Sequence, residues 1–249
     1  MGSRKLIQSV GDYRIDLALG KVAGSMAGGA YGLRYGINNN DVEDIWCGVD
    51  PVRTDLLSPE RLLIVSDSDD DTFGAGTGAE VLIITGLDGD WREITEVVLM
   101  NGTNEVVTVN TFLRVNRVIV NAEVDDANQG DITLHSELTG HQQGGCTPHE
   151  GWMASTHYAV PVGHTAVLHN VSVATNKNDE AEMLLKMRIP EASGRAYATI
   201  LHVPIGLSNG GLTGIAQPFP AKSDIKFQCR SLKANVTCSA VYSWYLIPN

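Results

Sequence analysis

Turn-forming residue pairs divide residues 74–121 into short β-rich runs. Asp88-Gly89 and Asn101-Gly102 each stand between runs that are rich in Val, Ile and Thr. Such a pair between β-rich runs is the strongest short-range signal for a β-hairpin. Between the two pairs, residues 91–100 alternate in polarity as a half-buried strand does. The segment therefore predicts a β-meander, and it offers little that could serve as catalytic machinery.

The rest of the chain repeats this pattern, so we expect an all-β fold with little helix. We expect an extended arm over 1–40, an antiparallel β-sandwich over 41–145 and a jelly-roll-like antiparallel β-sandwich over 146–249. The boundary is placed at His141–Gly151, where HQQGGCTPHEG breaks the alternation. Strands are predicted near 61–66, 80–85, 91–100, 105–109, 112–121, 131–135, 153–160, 165–174, 183–189, 196–203, 225–229 and 236–247, the last two forming a hairpin that turns at 233–235.

The first 40 residues differ from the remainder in composition and charge. Glycines from Gly20 to Gly36 punctuate them, and five basic side chains outnumber two acidic ones, whereas the whole chain carries −11. A segment that can bury little by itself is expected to be an arm ordered by contact with a partner. The acidic body argues against a nucleic-acid-binding surface, which needs clustered Lys and Arg.

Membrane and export signals are weak in this sequence. No run approaches 18 apolar residues, so no transmembrane helix is expected. Arg4-Lys5 is not followed by a continuous apolar segment, which argues against a secretory signal. We therefore expect assembly in a reducing cytoplasm.

Four cysteines in a chain of this length do not predict a disulfide framework. Cys229 and Cys238 fall in phase with neighbouring apolar residues, which is typical of small buried hydrophobic side chains. A cross-strand contact between these two is left open, but a disulfide is not expected without an oxidising environment. The other two are Cys47 and Cys146.

Two glycine- or aspartate-rich stretches match known motifs in part. Gly74–Ala79 fits G-x-G-x-x-[GA], but a strand follows it, whereas a dinucleotide site needs a helix to begin there. Asp67, Asp69 and Asp71 have the spacing that begins a calcium loop. The Gly and Glu that an EF-hand then requires are replaced by Thr72 and Gly78, so a solvated acidic loop at 67–71 is favoured and a surface calcium is left open.

A second possible metal region lies at residues 135–150. His141, Cys146 and His149 are zinc-competent, with His135 and Glu150 nearby, but no zinc-knuckle spacing frames them. We interpret them as loop residues and leave a metal site open. The remaining histidines are dispersed, which favours packing or surface roles: His157, His164, His169 and His202.

The sequence shows no grouping typical of a hydrolase. It contains no G-x-S-x-G, and Glu93 and Glu96 stand three apart on a predicted strand, so they face opposite sides. We therefore predict no catalytic, cofactor-binding or metal-binding residue, no cofactor, and no enzymatic activity. The glycosylation triplets at Asn101, Asn170 and Asn235 are interpreted as turn and strand residues.

An ordered series of short motifs resembles the β-rich virion structural proteins of tailed bacteriophages. The motifs of residues 15–145 are Leu17–Gly20, Tyr35-Gly36, Val42–Trp46, Ile64–Ser66, Asp71-Thr72, Gly74–Ala79, Gly86–Asp88, Asn101–Thr103, Phe112–Val115 and Gly130–Ile132. Those of residues 146–249 are Tyr158, Val160–Ala166 and Lys222–Ile225. The sequence departs from this resemblance at Gly48–Pro51 and at 141–151.

The resemblance implies a non-enzymatic particle component, either a tail or head fibre or a capsid-decorating (cement) protein. We expect docking through the N-terminal arm onto capsid, tail or portal-side proteins, and a homo-oligomer, taken as a trimer. Its location would be the virion, after assembly in the host cytoplasm. The alternative is a carbohydrate- or receptor-binding β-sandwich module, with a host-surface glycan as partner. A hydrolase fused to a β module is a further rival.

Overall fold

The computed structural model of the chain describes residues 16, 19, 21–122, 127–176, 181–190, 196–205 and 210–249. Within these residues the chain forms sixteen β-strands. In order they are β1 (Met26–Ile37), β2 (Val42–Asp44), β3 (Leu62–Ser66), β4 (Ala79–Leu87), β5 (Glu93–Leu99), β6 (Val106–Val107), β7 (Arg114–Ala122), β8 (Ile132–Ser136), β9 (Gln142–Cys146), β10 (Tyr158–Ala159), β11 (His164–Thr175), β12 (Ala181–Arg188), β13 (Ala198–Ile205), β14 (Gly210–Phe219), β15 (Asp224–Ser231) and β16 (Val236–Pro248).

The strands form four antiparallel sheets. Sheet I has the order β1-β16-β11-β14. Sheet II has the order β10-β15-β12-β13, with β2 also pairing with β15. Sheet III has the order β6-β3-β8-β9, and sheet IV has the order β5-β4-β7. All the described pairings are antiparallel, so the predicted all-β antiparallel class is confirmed.

Sheets I and II enclose one hydrophobic core, and we call this unit the terminal sandwich. The core side of β16 illustrates why the sequence forms this layer, since every second side chain of a strand points to the same face. Six alternating side chains of β16 are buried in the core, as the alternation at 236–247 predicts: Val236, Cys238, Ala240, Tyr242, Trp244 and Leu246.

Strand β1 belongs to the terminal sandwich, although residues 1–40 are predicted as an extended arm. It pairs with β16 from Met26↔Leu246 to Ile37↔Val236, with one irregularity. Gly32 shows why glycine recurs here: a Cβ would lie 2.4 Å from the carbonyl oxygen of Ile45 and 2.9 Å from the amide nitrogen of Thr156. The glycine therefore permits close packing of backbone on backbone. Residues 1–15 of the predicted arm lie outside the described residues.

Sheets III and IV enclose a second core, and we call this unit the inserted sandwich. It is built from β3 to β9, which follow β2 and precede β10, and both of these strands pair with β15 of the terminal sandwich. Its core includes Leu62, Leu82, Val118 and Leu134. The cores thus divide the chain differently from the predicted ranges 41–145 and 146–249. The stretch predicted as a boundary instead contains β9, at the edge of sheet III.

The predicted turns fold differently from the expected meander. β4 and β5 do form a hairpin, but its loop spans 88–92, and Trp91 rather than Gly89 has positive φ. Asp88 organises this loop by accepting hydrogen bonds at Oδ1 from the amides of Asp90 and Arg92, both at 2.9 Å. At the second turn Gly102 has φ +58°, but the chain crosses there from sheet IV to sheet III. That turn therefore joins two layers and does not form a hairpin.

The predicted hairpin of the last two strands is likewise wrong, because β15 lies in sheet II and β16 in sheet I. The two strands face each other across the core, and Cys229 and Cys238 join them through a disulfide. Both cysteines are buried, as predicted, but they are bonded rather than free. Cys47 and Cys146 are free thiols, and burial raises the pKa of Cys47 to about 12.

The inserted sandwich is an antiparallel sandwich but not a jelly roll. Within the described part of the chain this unit has seven strands, in the orders β6-β3-β8-β9 and β5-β4-β7, whereas a jelly roll has eight. Sequence periodicity identifies faces and strand lengths but carries no information on which strands become neighbours.

Candidate binding cleft between the two sandwiches

A small apolar cluster joins the two sandwiches. Leu87, Trp91 and Leu113 of the inserted sandwich pack with Ala159 of β10. Beside them the side chain of Asn116 bonds the backbone of Ala159 twice. Its Oδ1 accepts from the amide at 2.8 Å, and its Nδ2 donates to the carbonyl at 2.9 Å. The Asn116 side chain therefore satisfies the backbone N–H and C=O of Ala159, as a neighbouring strand would do.

Buried charges connect the same two units. Arg114 at the start of β7 donates from Nε and Nη2 to the two carboxylate oxygens of Asp224 on β15, at 2.8 and 3.0 Å. Arg188 of β12 donates to Oδ2 of the same carboxylate. Burial alone would lower the pKa of Arg114, but the hydrogen bond and charge of Asp224 raise it, so the guanidinium stays charged. We call Asp224, Arg114 and Arg188 the charge clamp.

Two further acids extend this buried network. Asp55 accepts from Arg188 and from the hydroxyl of Tyr197, both at 2.7 Å. Asp44 accepts from the Nζ of Lys226 at 2.9 Å and lies 3.0 Å from the Nε2 of His157. Burial would raise the pKa of both carboxyls. His157 and Lys226 instead bring the pKa of Asp44 below its usual range, and Arg53, Arg114 and Arg188 do the same for Asp55. Each carboxylate is thus paired with at least one cation or imidazole of the network, as buried charge requires.

His157 is a fully buried member of this network. Burial, aided by the charge of Arg53, lowers its pKa to about 4. It is therefore neutral near pH 7, and its Nδ1 lies 3.2 Å from the hydroxyl of Ser155. Of the packing and surface roles predicted for the dispersed histidines, His157 has an interior one, in contact with Asp44.

A cleft of about 700 Å³ opens beside this junction. One wall is the first part of β1, from Met26 to Tyr31, and the other is the outer face of sheet IV. β1 is the end strand of sheet I within the described residues, so it presents an edge to the cleft. The volume is within the range of small-molecule sites, about 300–1,000 Å³.

Strand registers place a row of polar side chains on the sheet IV wall. Thr95 pairs with Thr85, and Thr85 pairs with Arg117, so the three lie side by side on one face. Glu93 stands two residues before Thr95, on the same face of β5. All four line the cleft. We call Glu93, Thr95, Thr85 and Arg117 the polar row.

A parallel row of apolar side chains lies next to it. Val97 pairs with Ile83, Ile83 pairs with Ile119, and Ile119 forms an isolated bridge with Trp152. We call these four residues the apolar row. Trp152 is 53% exposed, and its ring centroid lies 6.4 Å from that of Tyr31 on the opposite wall, with the planes at 56°. Two aromatic rings thus form a wedge at the mouth of the cleft.

The tryptophans are dispersed in sequence, and no aromatic platform is evident there. The fold brings Trp152 to one cleft with Tyr31 and Trp244, although Trp244 is buried. Neither Tyr31 nor Trp152 carries a sequence signal, because their approach depends on how the two sandwiches pack. Trp91 lies in the apolar cluster between the sandwiches, and Trp46 is buried with its ring at 72° to that of His157.

The glycine- and aspartate-rich loop at residues 67–79 is stabilised by hydrogen bonds to its own carboxylates. Asp71 is buried and accepts from the amides of Ala79, Gln129 and Gly130 at 2.7 to 2.9 Å. Asp69 accepts from the hydroxyl of Thr103 at 2.6 Å. These acids therefore serve as backbone and side-chain acceptors. Gly74–Ala79 leads into β4, as the turn interpretation predicts.

The histidines and cysteine of residues 135–150, considered above as a possible metal region, lie in different surroundings. Cys146 ends β9 and is buried in the core of the inserted sandwich, while His149 sits in a turn with φ +64°. Within the described ranges, no three or more His, Cys, Asp or Glu side chains are grouped so as to hold a metal ion. Glu93 and Glu96 separate as predicted: Glu93 lines the cleft, and Glu96 accepts from the amides of Val109 and Asn110.

Comparisons with known proteins give little further information. No protein-family profile matches the chain, and no curated protein matches it. One solved structure, "Structure of infectious bursal disease virus Gt strain", aligns with 90% of this chain and 80% of its own, at 10% identity and a TM-score of 0.17. A likeness at that score carries no argument. No helix in the described residues is long and apolar enough to cross a membrane.

Proposed function

We propose that the chain is a non-enzymatic structural component of a virus particle, of the tailed-bacteriophage type that its motifs resemble. It would be a fibre or a capsid-decorating protein that docks through its N-terminal segment and acts as a homo-oligomer, with a trimer expected. Its location would be the virion. Other virion proteins would be its partners.

The observation that carries the proposal is the strand order of the terminal sandwich. If β10 is left out, the terminal sandwich consists of eight described strands: β1, β2 and β11 to β16. When these are renumbered 1 to 8 in chain order, the two sheets have the strand orders 1-8-3-6 and 2-7-4-5. Eight strands in two facing sheets with these crossing connections support a jelly roll, an architecture common in viral capsid and lectin domains. The inserted sandwich would then be a second unit carried on that base. Fold alone does not determine function, so the particle role remains our proposal.

The disulfide between β15 and β16 adds support. Disulfides persist at virion surfaces and other oxidising sites, and they are rare in reducing cytoplasm. A chain assembled in the host cytoplasm and then released on a particle would meet such conditions. The buried Cys229–Cys238 bond therefore fits a protein whose working location is outside the cell.

Oligomer formation is supported by the outer face of sheet IV. Val97 and Leu99 of β5 are 62% and 51% exposed, and β5 is the end strand of its sheet among the described residues. Contiguous exposed apolar surface on a sheet edge marks an interaction site. A second copy of the chain would cover the part of this face that carries Val97 and Leu99, which lies outside the lining of the cleft.

Oligomeric state can be measured by light scattering after size exclusion. We expect a trimer for the wild type and dissociation for Val97→Glu. Leu138→Glu is the matched control, because Leu138 is also exposed, at 79%, but lies in the loop after β8. A monomeric wild type would contradict the oligomer proposal. An antibody against the chain should also label intact purified particles in electron micrographs, and labelling of infected-cell lysate alone would contradict the particle role.

A further inference from the structure

We propose that the cleft between the sandwiches binds a neutral oligosaccharide. The inference rests on the geometry of the cleft and does not require the particle role. It requires the two sandwiches to keep the arrangement that brings Tyr31 and Trp152 together. The polar row and the aromatic wedge supply its two kinds of contact.

The aromatic wedge suits the apolar face of a sugar ring. A pyranose has C–H groups on its faces and hydroxyls around its rim, so it is amphipathic in the same sense as the cleft. Trp152 is half-exposed, and Tyr31 is tilted toward it from the other wall. Aromatic faces carry partial negative charge, which attracts the polarised C–H groups of a ring lying on them. The wedge would therefore hold sugar rings by stacking.

The polar row can bond the hydroxyls at the rim. Glu93 supplies an acceptor, Arg117 supplies donors, and the hydroxyls of Thr85 and Thr95 supply both. Within the described residues neither the carboxylate of Glu93 nor the guanidinium of Arg117 forms a side-chain hydrogen bond or an ion pair, and both side chains are exposed. One positive and one negative group favour a neutral ligand over a strongly charged one.

Glycines allow the β1 wall of the cleft to pack closely on β16. Gly28 lies over the ring of Trp244, where an added Cβ would come within 2.8 Å of Nε1. An added Cβ at Gly29 would lie 3.1 Å from the carbonyl oxygen of Tyr242. The short side chains along β1 leave space between the walls and expose backbone groups of the strand edge. The cleft therefore combines a largely apolar lining with the polar row on the sheet IV wall.

A peptide strand is the main competing occupant, because β1 presents an edge. Strand addition would draw its affinity from the β1 backbone and would not require the polar row. A saccharide uses the aromatic wedge and the polar row together, and the two lie side by side in this cleft. The test is built on that difference.

The full-length chain can be titrated calorimetrically with maltohexaose, cellohexaose, mannohexaose and hexa-N-acetylchitohexaose, all of which are neutral. We expect saturable binding of at least one of them. Trp152→Ala should weaken binding about tenfold or more, because a stacked ring is lost. Glu93→Gln and Arg117→Ala should each weaken it as well. Tyr35→Ala is the matched control, since Tyr35 is an exposed aromatic of β1 that does not line the cleft.

The titrations of the wild type and the variants either support or overturn binding in the cleft. Binding that Trp152→Ala reduces and Tyr35→Ala leaves unchanged supports it, provided that both variants unfold at the wild-type midpoint. Binding unchanged in Trp152→Ala places the ligand elsewhere and overturns it, as does no binding of any of the four sugars. If the chain binds sugar but is absent from purified particles, the binding inference stands and the proposed particle role fails.

Discussion

Replacing Asp224 by Asn should cost far more stability than the same change in an exposed ion pair. In the charge clamp, the side chains of Arg114 and Asp224 are only 3% and 4% exposed. Asp224→Asn would leave two guanidinium groups, those of Arg114 and Arg188, without their shared countercharge. Breaking a buried pair by removing one partner costs about 3–5 kcal/mol. We expect a loss in this range, arising mainly at Arg114, because Arg188 keeps its ion pair with Asp55.

Arg61 and Glu137 provide a control of the same geometry. Nε and Nη2 of Arg61 donate to the two carboxylate oxygens of Glu137 at 2.8 and 2.7 Å, but the side chains are 48% and 28% exposed. An exposed pair is worth about 0.2–1 kcal/mol, so Glu137→Gln should be nearly neutral. Equilibrium urea unfolding of both variants measures the difference. Equal losses in the two variants would refute the reasoning from burial.

Three other predictions concern single sites. Stability should fall as pH decreases from 6.5 toward 4, because unfolded imidazole protonates near pH 6.5 and folded His157 only near about 4. His157 should contribute roughly 3 kcal/mol to that fall, so unfolding curves of His157→Asn against pH should be flatter, and an unchanged slope would contradict this. Alkylation of the denatured, unreduced chain should modify two thiols, and four only after reduction; four at the outset would exclude the Cys229–Cys238 bond. Gly32→Ala should destabilise by about 1–3 kcal/mol through overpacking, which an unshifted urea midpoint would disprove.

Strand positions were largely predictable from sequence, because alternation is a local property. The β4 and β16 runs show it clearly, and both are strands. β1, β2, β9 and β14 were missed: glycine and polar residues are frequent in β1, β9 and β14, and β2 has only three residues. In β1 the glycines serve close packing, which depends on what lies opposite. Pairing was not predictable either, since β1 joins β16 from the other end of the chain.

The candidate cleft was hidden for a related reason. Asp224 and Lys226 alternate with apolar residues in β15, which indicates a solvent-facing side. The contacts of the charge clamp and of Asp44 bury that side. Tyr31 and Trp152 are far apart in sequence and meet only because the two units pack together. A site formed between units leaves no periodic signal in either one.

Quantitative mass spectrometry of purified particles tests the central claim most directly. The copy number of the chain per particle should be a whole multiple of its oligomeric state. Hundreds of copies would indicate a decorating protein, and a few to a few tens would indicate a fibre or tail component. Absence of the chain from particles, while it is abundant in the cells that produced them, would contradict the proposal.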